Sequence, residues 1–312
     1  MKFKLEINIE QSVVKLNHKD QSILIGSCFS TEIASRLNGS GFSIASNPFG
    51  TLFHPEAISN VIQSTITDNI HVDTKQSDDI FHSWDSSGVL FGMADYELIE
   101  NVLRIRKELK KSLLSAKILV ITFGTAWGYN HNELSKVVGN CHKESQDKFT
   151  RSLSSINEME ETWLDLIQSL KILNPELQLI FTVSPVRHKK DGLIENNRSK
   201  ARLLEFVHRI VESTSANYFP AYEILIDELR DYRFYSEDLV HPNSSAVDFV
   251  WNKFEKAYCS EETISLSQDI KKIKLSESHK TLYPNSNADV NMKEATSKSK
   301  EELLNKYPYL NF

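Results

Sequence analysis

Apolar and polar positions along the chain follow two periods, and the alternation between them organises the rest of the reading. Four runs are apolar at nearly every position: "SILIGS" at 22–27, "KILVITFG" at 117–124, "LQLIFTVSP" at 177–185 and, more weakly, "SANYFPAYEI" at 215–224. Rich in β-branched or aromatic residues, they predict strands buried on both faces of a sheet. Between them, apolar residues recur every three or four positions. "STEIASRL" puts Ile33, Ala34 and Leu37 on one face, and "INEMEETWLDLIQSLKILN" and "SKARLLEFVHRIVEST" carry the same amphipathic repeat. Strands alternating with helices predict an α/β fold on a parallel sheet. The N-terminal "MKFKLEINIE" alternates apolar and polar residues and reads as a first strand.

A compositional shift near residue 262 divides the chain. Residues 1–262 read as the globular domain, and 263–312 as a polar extension rich in Lys, Ser, Glu and Asn. Weak helical patterns at 263–275 and 292–306 predict helices packed on the domain surface, or an interaction tail. No internal repeat is visible.

Composition narrows the classes of partner. A chain of 312 residues with 40% hydrophobic and 25% charged content has the ordinary make-up of a globular protein with a large core. The formal net charge is −6 and no long basic block occurs, so a nucleic-acid partner is not expected. No run approaches the roughly 18 apolar residues that span a bilayer, and the N-terminus lacks a signal peptide's apolar stretch; a cytoplasmic protein is expected, with no membrane partner. Cys28, Cys141 and Cys259 are too few and scattered for a disulfide framework or a zinc site. Reduced thiols are expected, with no metal and no cofactor. Cys259, in "KAYCSEE", reads as a small buried hydrophobe.

In a parallel sheet, ligands bind outside the carboxyl ends of the strands. Here those ends lead into "GSCFS", "FGTAWGYN", "SPVRHKKDG" and "FPAYE". Cys28 lies between a buried strand and a helix start, where free backbone N–H groups and the helix dipole favour a thiolate. The same position also suits a small buried side chain. In "YSEDLVHPNSS", Asp238 can accept from one ring nitrogen of His241 and leave the other to act as a base. The alternative is a loop histidine capping the helix "NSSAVDFVWNKF". In "VVGNCHKES", Cys141 is an alternative nucleophile, while His142 and Lys143 could line a pocket. Adjacent side chains in an extended segment face opposite ways, so Cys141 and His142 would not pair. Arg187, beside His188, offers a planar fork for a carboxylate or phosphate, unless that loop is merely solvated.

"GSCFS", "NPFGTLFHP", "NCHK", "SPVRH" and "LRDYRFYSEDLVHPN" together resemble the GSCFA family of the SGNH hydrolase superfamily, over about residues 20–258. The resemblance implies a three-layer α/β/α flavodoxin-like domain with a parallel sheet. It puts Cys28 at the nucleophile position, Ser27 where the superfamily has aspartate, and Asp238 with His241 in the last block. N–H groups of Cys28 and Gly50 would form the oxyanion hole. The third block, Gly-x-Asn, is here Gly124-Thr125-Ala126, so its asparagine is missing; Asn47, Asn130 or Trp127 could supply a replacement N–H. Ser27, Asn47, Trp127, His142, Arg187 and His188 are the expected substrate-binding residues. The function implied is cleavage of a small-molecule or carbohydrate ester, or a thioester, through a Cys-His-Asp acyl-enzyme, or acyl transfer to a sugar hydroxyl. The alternative is a ligand-binding module that has lost the chemistry.

Overall fold

The computed structural model describes residues 4–310. In chain order, the first half runs β1 (Gln21–Gly26), α1 (Cys28–Gly39), β2 (Ser43–Ser46), α2 (Pro55–Ile66), β3 (Thr74–Ser77), β4 (Ile80–Ser83), β5 (Phe91–Gly92) and α3 (Asp95–Ser115). Then come β6 (Ala116–Phe123), β7 (Trp127–His131), β8 (Lys136–Val137), β9 (Phe149–Leu153), α4 (Ile156–Leu173), β10 (Gln178–Val183) and α5 (Leu193–Ser213). The chain finishes with β11 (Asn217–Tyr218), α6 (Ala221–Glu223), α7 (Ser244–Tyr258), α8 (Glu261–Ser278) and α9 (Asn287–Lys306).

The four apolar runs lie side by side. They form a parallel sheet in the order β2-β1-β6-β10-β11, with β2 as the added edge strand. Renumbered within the sheet, this is the 2-1-3-4-5 order of a doubly wound flavodoxin-like fold. Alternate residues of each strand feed opposite layers. Ile23, Ile25, Leu119, Ile121, Leu179 and Phe181 pack against α2, α3, α4 and α5. Leu24, Ile118, Val120 and Ile180 pack against α1, α6 and α7. The three-layer α/β/α architecture follows from strands that are apolar on both sides.

Helix boundaries follow local chemistry. Ser155 and Glu158 form a capping box at the start of α4, and Asn243 caps α7 by accepting from Ala246 N–H. His54 caps α2 through its ring, with Pro55 at the first helical position. Helix α3 is an addition to the sequence reading. Its Leu98, Val102, Leu109 and Leu113 seam is buried, and that spacing is itself a helical signal in an otherwise charged stretch.

Two expectations need correction. Met1–Phe3 of the proposed first strand lie outside the described residues, and Lys4–Glu10 form no strand. That segment instead crosses α7, where buried Glu228 accepts from Ile7 N–H at 3.1 Å and pairs with Lys253 at 2.7 Å. The fourth apolar run forms only two strand residues, because Pro220 has no N–H to donate to a ladder. From there the chain turns into α6 and a π-helical turn at Ile224–Glu228.

Two small antiparallel sheets, β3-β4-β5 and β8-β7-β9, are inserted before α3 and α4. Lys136 of β8 joins them, pairing with Asp73 at 2.6 Å and Asp85 at 2.7 Å. In the C-terminal region, α8 buries Ile270 completely, close beside Gly41, and α9 closes over it through Leu303, Leu304 and Tyr307. Among the described residues, no helix is long and apolar enough to cross a membrane.

The tightest approach in the sheet is at Gly26. Its φ is +142°, and a Cβ there would lie 2.1 Å from Thr122 O. Gly26→Ala should therefore cost about 3 kcal/mol or more, read as a fall in the urea midpoint at constant m-value. An unchanged midpoint would contradict the close approach.

Candidate active site

The site is built where β1 and β6 diverge, the switch point of the doubly wound sheet. After Gly26 the chain turns at once into α1, with Ser27 as N-cap and Cys28 as the first helical residue. Ser27 N–H donates to Thr122 O at 3.0 Å, tying the bend to β6. The Ser27 hydroxyl is buried without a hydrogen-bond partner and makes no side-chain cap. Asn47 clamps the same bend from the other side. Its Oδ1 accepts from Gly26 N–H at 2.8 Å, and its Nδ2 donates to Thr31 Oγ1 at 2.9 Å.

Cys28 is half-buried, and two opposing effects act on its thiol. Burial raises its pKa and is the larger effect, while hydrogen bonds from the Phe29 and Cys28 N–H groups and the charge of Lys200 lower it. Glu32, one turn along α1, pushes it up slightly. The net direction is upward, so the helix N-terminus does not deliver the pre-formed thiolate that the sequence suggests.

His241 and Asp238 form a pair. Nδ1 of His241 lies 2.6 Å from Asp238 Oδ2, and Asp238 Oδ1 accepts the N–H groups of Val240 and His241 at 2.9 and 3.0 Å. These bonds hold the Asp238 carboxyl well below the usual carboxylate range. They also fix the ring, since a carboxylate on Nδ1 puts the proton there and leaves Nε2 as an acceptor. Leu239, at φ +60°, makes the tight turn that allows the i, i+3 pairing. Neighbouring Val240 and Cys28 pack against one apolar cluster, which also contains Val186 and Tyr235. The loop and the bend thus border the same layer of the core, and among the described residues no hydrogen bond joins His241 to Cys28.

His188 follows β10 and lies against the end of β6. Gly124 is so close that a Cβ there would be 3.2 Å from His188 Nε2, and Phe53 packs edge-on to the ring. Burial lowers the His188 pKa to about 4, with help from the charges of Lys200 and His241. Arg187 stacks over Tyr235, its guanidinium 5.1 Å from the ring centre. A cavity of about 600 Å³ opens beside His188, and Phe53, Thr125, Trp127, Tyr129, Cys141 and Lys143 are among its walls.

Several expected roles change. Gly50 sits at φ +74° with Ser87 packed where a Cβ would go, and its N–H donates to Asn47 O at 2.7 Å. That N–H is engaged in a turn and is not free for an oxyanion. Asn47 is spent on the bend, and Trp127 Nε1 donates to Glu195 O at 3.3 Å. Asn130 lines a separate polar cavity of about 260 Å³. None of the three presents a replacement N–H beside Cys28. His142 is absent from the walls of the large cavity. It stacks on His82, and its Nε2 lies 2.9 Å from Ser83 O, which turns it towards the inserted sheet. Cys259 is deeply buried, and burial pushes its thiol up to about 12.

Sequence reasoning missed Lys200. It is fully buried, and its Nζ donates to Gly124 O at 2.6 Å and Ser184 O at 2.7 Å. Burial lowers its pKa to about 7, while Cys28 acts in the opposite direction. Placed on the core face of α5, it was indistinguishable by pattern from the solvated lysines around it.

A doubly wound α/β/α domain with its polar groups gathered at the carboxyl edge defines the class of protein. The chain belongs to the GSCFA family, whose profile matches residues 21–254. No curated protein sequence matches it. Among solved structures, it is similar to a carbohydrate esterase family 3 protein from Talaromyces cellulolyticus, at 9% identity and a TM-score of 0.37, covering 80% of this chain and 99% of that one. It is also similar to the periplasmic domain of a lipopolysaccharide acetyltransferase from Salmonella ser. Paratyphi A, at 12% identity and a TM-score of 0.37, covering 77% and 83%. A third is the acetyl xylan esterase Est2A from Butyrivibrio proteoclasticus, at 10% identity and a TM-score of 0.39, covering 80% and 64%.

Two imidazoles that line the cavity, His54 and His188, predict a pH dependence. His54 and His188 both have pKa values lowered to about 4, so between pH 6.5 and 4 the unfolded chain binds protons that the folded chain refuses. Stability contributed by these sites is lost as pH falls through that window, by about 2 kcal/mol each between pH 6.5 and 4.5. Urea unfolding across that range should show the loss, and His188→Gln should flatten the slope. An unaltered slope in that variant would place His188 in solvent.

Proposed function

We propose that this protein is an acyl-transferring enzyme acting on an ester or thioester, with Cys28 as nucleophile, His241 as base and Asp238 as its orienting partner. The observation that carries this reading is the 2.6 Å His241–Asp238 pair on a loop sharing an apolar cluster with Cys28. In the first step Cys28 sulfur forms a bond to the substrate carbonyl carbon, and the thiol proton passes to His241 Nε2. The C–O or C–S bond to the leaving group then breaks, and the leaving group takes that proton. Water, or an acceptor hydroxyl, repeats the sequence in reverse and releases the acyl group. The N–H groups at the start of α1 are the oxyanion donors in this reading, in place of Gly50.

The cavity beside His188 would receive one arm of the substrate. Its aromatic walls, Trp127 and Tyr129, suit an apolar or sugar face. A hydrolase and an acyltransferase differ here only in what occupies the second-step position.

A second reading is a binding module without chemistry. The raised thiol pKa of Cys28 and the engaged Gly50 N–H favour it.

Short-chain aryl esters and thioesters separate the two. The enzyme reading expects turnover, an acyl adduct on Cys28 by intact mass, and a loss of at least about 10³-fold in Cys28→Ala. Asp238→Asn should lower kcat by at least about 10²-fold with a smaller effect on KM. Full turnover in Cys28→Ala would overturn the nucleophile assignment. No adduct with any donor would support the binding module.

A further inference from the structure

The cavity beside His188 has an imbalance of charge that the ion pairs around it reveal. Four charged side chains are among its walls, Lys143, Glu144, Lys190 and Asp191. Both acids are neutralised by cations that are not wall residues. Glu144 pairs with Lys75 through Oε2, and its Oε1 accepts from Ser145 N–H at 3.1 Å. Asp191 lies 2.5 Å from the Arg151 guanidinium, and its side chain is only 10% exposed. The two lysines have no such partner. Neither ammonium makes a salt bridge or a hydrogen bond among the described residues, and Lys190 meets only the Tyr129 ring, whose centre is 5.8 Å from Nζ. His54 and His188, held towards their neutral forms, add no charge. Lys143 and Lys190 thus leave the cavity cationic on a chain whose formal net charge is −6. On an acidic protein, such a local surplus selects where an anion binds.

Local structure holds both lysines at the wall. Lys143 follows His142 in left-handed backbone, φ +59° after +46°, and His142 is fastened to the inserted sheet by Ser83 O and the His82 ring. Lys190 lies in the short 3₁₀ turn Lys189–Asp191, which the Arg151–Asp191 pair ties to β9. Arg151 also stacks on Trp127, its guanidinium 4.0 Å from the ring centre. Trp127 and Tyr129 therefore each have a cation against the ring. A smaller cavity of about 280 Å³ shares Tyr129, Lys190 and Asp191 with the larger one and has Arg151 among its walls.

We propose that this cavity takes a negatively charged arm of the substrate: a carboxylate or phosphate held by Lys143 and Lys190, on an apolar or sugar body lying against Trp127 and Tyr129. The substrate class is then an ester or thioester with an anionic arm. A neutral arm would leave both ammonium groups without a countercharge, whereas an oxyanion accepts charge-assisted hydrogen bonds from them. The inference deepens the acyl-transfer reading and rests on it for the reaction. Binding of the anion itself does not depend on Cys28.

Matched probes read the charge. Hippurate and hippuramide share an aromatic body and differ in a carboxylate against an amide. NMR titration of the full chain should give hippurate a Kd about tenfold below that of hippuramide at low salt. Lys143→Gln and Lys190→Gln should each reduce that preference about threefold; both side chains are exposed, so folding is not at stake. Lys189→Gln, next to Lys190 but not a wall residue, should keep the preference. In 1 M salt, where the Debye length is about 3 Å, the preference should fall below about twofold. Equal affinities for the two probes, or no binding of either, would overturn the proposal, as would an equal loss in Lys189→Gln. Benzylphosphonate binding more tightly than hippurate would identify a phosphate-bearing arm, and binding more weakly a carboxylate. Adduct formation on Cys28 with aryl esters is read separately. A preference for hippurate without any adduct would sink the acyl-transfer reading alone. An adduct without the preference would sink this inference alone.

Discussion

The contact between Gly26 and the Thr122 carbonyl is the constraint on which the rest of the site depends. A strand can lie this close to its neighbour and still turn into a helix in one residue only if that residue has no Cβ. The turn puts Cys28 at the first position of α1, directly over the switch point of the sheet. Asn47, itself at φ +42°, then locks the turn through Gly26 N–H and connects it to the second loop of the edge. Gly50 continues that loop by admitting Ser87 from the inserted strands. One tight approach thus sets the positions of three segments that are distant in sequence.

Electrostatics at this edge is a contest between burial and dipoles. The helix start offers N–H groups to the Cys28 sulfur, but desolvation outweighs them and the thiol pKa rises. His188 and Lys200 experience the same desolvation, and both are held towards their neutral forms. Asp238 is the contrast: exposed and bonded by two N–H groups and an imidazole, it stays ionised. The edge therefore combines a solvated anion that fixes a histidine with a dry interior where a histidine and a lysine are held towards their neutral forms. That division of environments is what acid–base chemistry near neutral pH requires.

Much of this organisation was legible before any coordinates. Strands apolar on both faces could only be central, and three of the four apolar runs are full strands of the sheet. The Asp238–His241 spacing gave a local pair because three residues suffice for a tight turn. Other features were hidden for identifiable reasons. The small inserted sheets have short, half-exposed strands with weak periodicity. The N-terminal segment shows strand-like alternation, yet Glu228 and Lys253 capture its backbone polar groups from outside any sheet. His142 is next to Cys141 in sequence, but with a positive φ of +46° it stacks on His82.

The sequence by itself determined the layer architecture, the place of the bend and the identity of the Asp238–His241 pair. Each of these rests on period, glycine or short-range spacing, which are properties of neighbouring residues. Only the tertiary structure decided which N–H groups are engaged, which histidines face the cavity and that Lys200 is buried at the carboxyl edge. Those are questions of competition for hydrogen bonds and of burial, and they depend on what distant segments bring to the same place. A lysine in an amphipathic helix becomes a buried, unpaired charge only when two strand ends, remote in sequence, offer it their carbonyls.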